Sequence, residues 1–206
     1  MDEGVVDYWW NANQFTKKYT EYSNNLVDQA YQNTPPQYNH NIGMCFLYNQ
    51  ISTGRVIGYV NLPKCMSTII KEALETCLDM KIIPNEANAN IEVSNIEFFA
   101  VTRDEHERAV SGHREWQSYD YLIRDPVRTK DISLPTLEEK QSITLDELLS
   151  KPEIWDEHIE PQVTFLKPFE ELDVDLQIFK LDNTIVAQLT EFFGYNILVN
   201  FRWREQ

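Results

Sequence analysis

A lysine and two hydroxyl side chains lie where an apolar, strand-like run gives way to a helix-compatible one. Lys64, Ser67 and Thr68 occupy the second half of the segment 59–68 (YVNLPKCMST). The first turn of a helix presents unpaired N–H groups and the positive end of the helix dipole, so an anion bound there also gains the ammonium group and both hydroxyls. The segment therefore predicts a phosphate-binding loop.

This loop differs from the Walker A loop, which wraps nucleotide phosphates with the spacing G-x-x-x-x-G-K-[ST]. Gly54 and Gly58 lie upstream without that spacing, and two residues separate Lys64 from Ser67. Pro63 also fixes φ where the Walker loop needs freedom. We therefore expect fewer bound phosphates and no magnesium. The ordinary alternative is that Ser67 only caps a helix and that Lys64 is solvated.

A second strand-to-helix transition carries arginine and serine. Arg103 comes just after the apolar run 96–101 (IEFFAV). Arg108, Ser111 and Glu115 follow with i, i+3, i+7 spacing and therefore share one helix face. A guanidinium suits bidentate phosphate binding, and a hydroxyl adds a donor without charge. We expect arginine and serine to converge on one pocket; the alternative is a surface helix in which Arg108 pairs with neighbouring acidic residues.

The ordered pair of motifs, P-K-C-x-S-T and R-D-x-x-x-R-x-x-S, resembles the two phosphate-binding motifs of the sulfotransferases, most closely those of the carbohydrate-type branch. The resemblance spans residues from about 55 to about 195. It implies the donor 3′-phosphoadenosine 5′-phosphosulfate (PAPS). The first motif would bind the 5′-phosphosulfate through Pro63, Lys64, Cys65, Met66, Ser67 and Thr68, and the second would bind the 3′-phosphate through Arg103 and Ser111. Met66 stands where Ala or Gly is usual, so we expect a looser or differently shaped loop.

The segment 155–162 (WDEHIEPQ) resembles a His-x-x-Pro-Gln segment that recurs late in these enzymes. On that resemblance His158 is the first candidate for the base that takes the acceptor's proton, because imidazole titrates near neutral pH. The alternative is that His158 orients the turn at Pro161 or a substrate. The other candidates for the base are His113, Glu115 and Glu86, since some branches of the family use glutamate. Lys64 would stabilise the charge that grows on the departing 3′-phosphoadenosine 5′-phosphate (PAP).

Composition favours one enzyme domain over residues 1–206, because 206 residues with 42% hydrophobic content suffice for a single core. The sequence contains no apolar segment of membrane-spanning length and begins without a signal-like pattern, so we expect a cytoplasmic enzyme. Cys45, Cys65 and Cys77 have no metal-ligand spacing, and a reduced compartment explains them best. Cys65 is more plausible as a small packing residue than as a nucleophile.

The net charge of −15 argues against nucleic acid and anionic membranes as partners. The same charge favours a neutral or weakly charged acceptor, either a carbohydrate or a small molecule. Two alternatives stay open. One is a non-catalytic module that binds PAPS or PAP, and the other is a small P-loop-like kinase, which the missing Walker loop disfavours.

Alternating strand-like and helix-like segments predict an α/β, P-loop-like three-layer fold, in which helices flank a central, largely parallel sheet. The predicted elements are an N-terminal arm over 1–40 with a helix at 13–31, strands at 42–48, 55–60, 96–101 and 176–181, helices at 67–78, 104–116, 145–149 and 183–193, and an irregular loop or lid over 119–140. The first two strands should form a hairpin, and Gly194 should end the last helix.

Overall fold

The structure of the chain is a computed structural model, which describes residues 45–83, 91–118, 135–151, 154–155 and 158–195. Four predictions fall wholly or partly outside these residues: the N-terminal arm over 1–40, the first residues of the predicted strand 42–48, the part of the predicted lid at 119–134, and the candidate base Glu86.

A five-stranded mixed sheet forms the centre of the fold. Its strands are β1 (Cys45–Gln50), β2 (Val56–Val60), β3 (Met80–Ile82), β4 (Ile96–Thr102) and β5 (Leu176–Lys180), in the order β3-β1-β2-β4-β5. The pairs β2–β4 and β4–β5 are parallel, whereas β1 is antiparallel to both β2 and β3. Four of the five strands therefore run in the same direction, and β1 runs the other way. The predicted hairpin of the first two strands is confirmed.

Helices cover both faces of this sheet. They are α1 (Ser67–Cys77), α2 (Glu105–Ser118), α3 (Leu137–Ser142), α4 (Leu145–Leu149), α5 (Gln162–Glu171) and α6 (Ile185–Phe193), and a short 3-10 turn covers Val93–Asn95. Along β4, Phe99 faces a core shared with α1 and α6, and Phe98 faces a second core shared with α5. This alternation is what a strand buried on both faces requires. The chain is thus mixed α/β.

The elements next to the two motifs agree closely with the sequence. The strand–loop–helix pairs β2–α1 and β4–α2 lie where they were predicted, and so do α4, β5 and α6. Gly194 ends α6 with a φ of 69°, in the left-handed region that glycine adopts without strain.

Three elements differ from the predictions. The helix α3 occupies the end of the predicted irregular segment 119–140, so that boundary is wrong; Thr136 and Glu139 form a capping box that starts the helix. The helix α5 was not predicted, and it contains Pro168, a residue that normally argues against a helix interior. The strand β3 was also missed, because its three residues depend on pairing with β1.

Candidate functional site

Both predicted motifs lie at the same edge of the sheet. Strands β2 and β4 are parallel neighbours, and Val60 pairs with Ala100 near their carboxyl ends. The loop that follows β2 and Arg103, which follows β4, therefore leave the sheet side by side. The carboxyl edge of parallel strands is where open α/β sheets bind ligands.

The loop between β2 and α1 has two residues in the left-handed region. Lys64 has a φ of 64° and Met66 a φ of 63°, whereas Cys65 between them keeps a negative φ. A non-glycine residue in this region costs about 1–3 kcal/mol, so the surrounding structure must hold both in place. Alternating signs of φ can turn successive N–H groups toward one side and form an anion-binding concavity. In this loop the Cys65 N–H donates to Leu62 O at 3.4 Å, so the neighbouring N–H groups are the ones left for an anion. The left-handed conformation of Met66 therefore helps to shape the loop. It costs more free energy for methionine than it would for glycine, which has no Cβ.

The first turn of α1 has no side-chain cap in the described part of the chain. Met66 occupies the N-cap position, and Ser67 is the first helical residue. The ordinary alternative, a serine cap on this helix, is therefore wrong. Ser67 is half-buried and Thr68 is exposed, so both hydroxyls lie at the start of a helix whose first N–H groups face no capping oxygen.

Arg108 is buried behind the β2–α1 loop, where it supports the loop by hydrogen bonding and does not take part in an open pocket. Arg108 is 1% exposed, and its guanidinium donates from Nε to Pro63 O at 3.1 Å and from Nη1 to Glu160 O at 2.6 Å. Our expectation that arginine and serine converge on one pocket is thus wrong for Arg108. Burial of a charge requires hydrogen-bond partners, and here two main-chain carbonyls provide them.

Gln162 connects the two motifs through its side-chain amide. Oε1 accepts from Cys65 Sγ at 3.2 Å and from Arg103 N at 2.8 Å, and Nε2 donates to Arg103 O at 2.7 Å. The residue is 5% exposed. Gln162 thus ties the β2–α1 loop to the end of β4. From the sequence, Gln162 is only the last residue of the His-x-x-Pro-Gln segment, and no role was predicted for it.

Burial determines the state of Cys65. The thiol lies in the core under the loop, and burial raises its pKa to about 11. It is therefore protonated at neutral pH and acts as a hydrogen-bond donor to Gln162. A protonated, buried thiol is a poor nucleophile.

Two cations line the edge of the site, each beside a more exposed carboxylate. Lys64 Nζ lies 3.6 Å from Glu115 Oε2, with side-chain exposures of 24% and 43%. Arg103 Nε lies 3.3 Å from Glu107 Oε2, with exposures of 29% and 60%. Solvent-exposed ion pairs contribute only about 0–1 kcal/mol, so a ligand with several negative charges can displace either carboxylate.

The candidate bases have different surroundings. His113 Nε2 donates to Ile143 O at 2.8 Å, and its ring stacks on Trp116, so this imidazole supports the packing of α2. Glu115 is the candidate that the structure places beside Lys64. His158 is half-buried, in a segment that packs on α2. Ser111 is half-buried on α2, one turn after the buried Arg108 and one turn before Glu115.

Glu160 is a buried carboxyl behind the site. Its Oε1 accepts from Thr164 Oγ1 at 2.9 Å, and within the described residues Oε2 has no hydrogen-bond partner. Burial raises the pKa of this carboxyl, against the opposing effects of the Thr164 hydroxyl and the Arg108 guanidinium. With 4% exposure, the carboxyl belongs to the buried support of the site.

Gly112 allows the His158 segment to approach α2. A Cβ at this position would lie 2.3 Å from His158 O, a main-chain atom that cannot rotate away. We expect Gly112→Ala to lower the free energy of unfolding by about 1–3 kcal/mol, because the segment must move. Chemical denaturation measures the effect, with Ser118→Ala at the exposed end of the same helix as control. Unchanged stability in Gly112→Ala would contradict the close packing of this segment.

Comparison of the chain with family models, with curated proteins and with solved structures finds no match in any of the three. Across the described ranges, no helix has the length and apolar character needed to cross a membrane. The same residues include no cluster of three or more His, Cys, Asp or Glu side chains placed to hold a metal ion.

Proposed function

We propose that the chain is a PAPS-dependent sulfotransferase with a P-loop-like fold, acting in the cytoplasm on a hydroxyl or amine of a carbohydrate or small molecule. The observation that supports the proposal best is the β2–α1 loop. Lys64 and Met66 adopt left-handed conformations there, ahead of a helix that lacks a side-chain cap. Such a loop offers N–H groups and a lysine to one phosphate group, and Arg103 at the same sheet edge offers a second binding point.

Two anionic groups on one nucleotide fit this arrangement better than a triphosphate does. In the proposal the loop, Lys64, Ser67 and Thr68 hold the 5′-phosphosulfate, and Arg103 with Ser111 holds the 3′-phosphate. A compact loop without the Walker spacing has little backbone with which to wrap a longer phosphate chain. PAPS supplies the sulfuryl group in this scheme, and no metal is required.

Transfer follows an in-line displacement. The acceptor oxygen or nitrogen attacks the sulfur, the bond from sulfur to the bridging oxygen of the 5′-phosphate breaks, and PAP leaves with that electron pair. Lys64 stabilises the charge that develops on the bridging oxygen, and the base takes the acceptor's proton. By analogy with phosphoryl transfer, placement and charge neutralisation carry most of the catalysis.

The pH dependence of turnover identifies the base. A histidine base predicts that kcat rises with pH across the neutral range, because imidazole must be neutral to accept a proton, whereas a carboxylate base places that rise at more acidic pH. We expect His158→Gln to lower kcat about 10²- to 10⁴-fold and to remove the rise across the neutral range. Transfer from radiolabelled PAPS to a panel of neutral sugars and phenols measures it.

Glu115→Gln provides the comparison, because Glu115 is the rival candidate that contacts Lys64. Loss of turnover in Glu115→Gln, with normal turnover in His158→Gln, would assign the base to Glu115. Tight PAPS binding without transfer to any acceptor would instead support the non-catalytic binding module.

A further inference from the structure

The buried side chain of Gln162 is hydrogen-bonded to both candidate phosphate subsites. We infer that Gln162 is a positioning residue that holds the 5′ and 3′ subsites at the separation required by a nucleotide with two phosphate-bearing ends. The inference rests on the proposed function. Gln162 itself has no contact with the donor in this account.

The contacts with Arg103 resemble one step of a β-ladder. Arg103 lies one residue beyond the last residue of β4, and Leu181 N donates to Thr102 O at 2.6 Å as the pairing with β5 ends. Past that point, the Gln162 amide offers one acceptor and one donor to the main chain, at 2.8 and 2.7 Å. Two such bonds fix the peptide groups on either side of the Arg103 Cα. They thereby set the point from which the Arg103 side chain reaches the site.

The contact with Cys65 fixes the other subsite. Cys65 lies between the two left-handed residues of the loop, and its Sγ donates to the Gln162 oxygen that also accepts from Arg103. A single oxygen atom is therefore hydrogen-bonded to both motifs. Any displacement of Gln162 must strain at least one of these contacts.

Neighbouring contacts hold Gln162 itself in place. Its main-chain N donates to Glu105 Oε1 at 3.3 Å, and the preceding Glu160 O accepts from the buried Arg108. Because Arg108 also donates to Pro63 O, the segment that carries Gln162 is connected to the same loop a second time. Gln162 thus projects from a fixed part of the main chain.

A residue that aligns the two subsites affects ligand affinities differently from a residue that binds the ligand directly. A ligand that occupies two subsites gains affinity from its second end only when both subsites have the right separation, whereas a ligand that occupies one subsite is insensitive to that separation. PAP spans both subsites, while 5′-AMP and 3′-AMP each occupy one. Loss of alignment should therefore weaken PAP binding selectively.

The test is calorimetric titration of Gln162→Met with PAP, 5′-AMP and 3′-AMP. Methionine keeps the length of the side chain and removes all three hydrogen bonds. We expect the dissociation constant of PAP to rise about tenfold or more, while those of both monophosphates change less than about twofold. Gln188→Met, on α6, is the matched control, since the Gln188 amide donates only to Thr184 within the described contacts, and it should leave all three constants unchanged.

Gln162→Asn is the second variant, because it keeps an uncharged amide and withdraws it by one methylene from Cys65 and Arg103. Should Gln162→Met fail to fold, as judged by circular dichroism, the same three titrations of Gln162→Asn decide the question. Equal loss of all three ligands, or unchanged PAP affinity in a folded variant, would overturn the positioning role. Wild-type protein that does not bind PAP would refute the proposed function instead, so the two failures are distinguishable.

Discussion

Lys64→Ala is expected to lower kcat for sulfuryl transfer about 10²- to 10³-fold while raising the dissociation constant of PAP less than about tenfold. The reason is the place of the ammonium group. Lys64 lies in the strained part of the loop, 24% exposed, where the bridging oxygen of a bound 5′-phosphosulfate would lie. Negative charge on that oxygen grows during transfer, so a fixed cation stabilises the transition state more than the bound donor.

The measurement for Lys64 combines steady-state kinetics at saturating PAPS with calorimetric titration of PAP. Lys71→Ala is the control, since Lys71 lies on α1, the helix that follows the loop, and its ammonium group contacts the Phe46 ring. It should change neither quantity by more than about twofold. A Lys64→Ala protein that binds PAP poorly and, once saturated, turns over normally would show that Lys64 serves recognition alone.

Arg103→Ala is expected to raise the dissociation constant of PAP about 30- to 150-fold, because a charge-assisted contact with phosphate is worth about 2–3 kcal/mol. The affinity for 5′-AMP should stay within about twofold, since in the proposal Arg103 binds the 3′-phosphate, which 5′-AMP lacks. Arg103→Lys should recover only part of the loss, as an ammonium group cannot bind phosphate with two parallel hydrogen bonds.

Arg114→Ala provides the control for Arg103→Ala. Arg114 is exposed on α2, and its substitution removes the same charge from the chain. If only the loss of a positive charge mattered, the affinity for PAP would fall equally in both variants. An Arg103→Ala protein that loses 5′-AMP as strongly as PAP would contradict the assignment of Arg103 to the 3′-phosphate.

Local sequence signals were sufficient for the elements that carry the two motifs. The apolar runs before Lys64 and before Arg103 form β2 and β4, and the following helices begin within one residue of their predicted starts. These predictions hold because the continuous apolar runs and the helical patterns in these segments agree with the tertiary structure, in which both strands are buried on both faces. The parallel pairing of β2 with β4 then brings both motifs to one edge.

Tertiary contacts decide what the sequence could not show. Arginine is rarely buried, so helical spacing alone placed Arg108 in a pocket, whereas two carbonyls from distant segments hold it in the interior. The left-handed conformation of Met66 opposes its intrinsic preference and depends on the packing around the loop. In the His-x-x-Pro-Gln segment, the sequence directed the prediction to His158, whereas Gln162 makes the contacts that join the motifs.

The capping box at Thr136 and Glu139 is a signal that the sequence did contain. Its T-x-x-E spacing predicts a helix start, and α3 begins there. The helix α5 offered no comparable signal, because Pro168 lies inside it. That helix is stabilised by burial of Phe165 and Phe169 against β4, which local propensity cannot anticipate.

The most direct test of the account is calorimetric titration of the wild-type chain with PAP in the absence of magnesium, with AMP and ATP as comparison ligands. We expect PAP to bind at least about tenfold more tightly than AMP, through the added contact of its 3′-phosphate with Arg103. Magnesium should leave this preference unchanged. Failure to bind PAP, or a preference for ATP that requires magnesium, would contradict the sulfotransferase proposal.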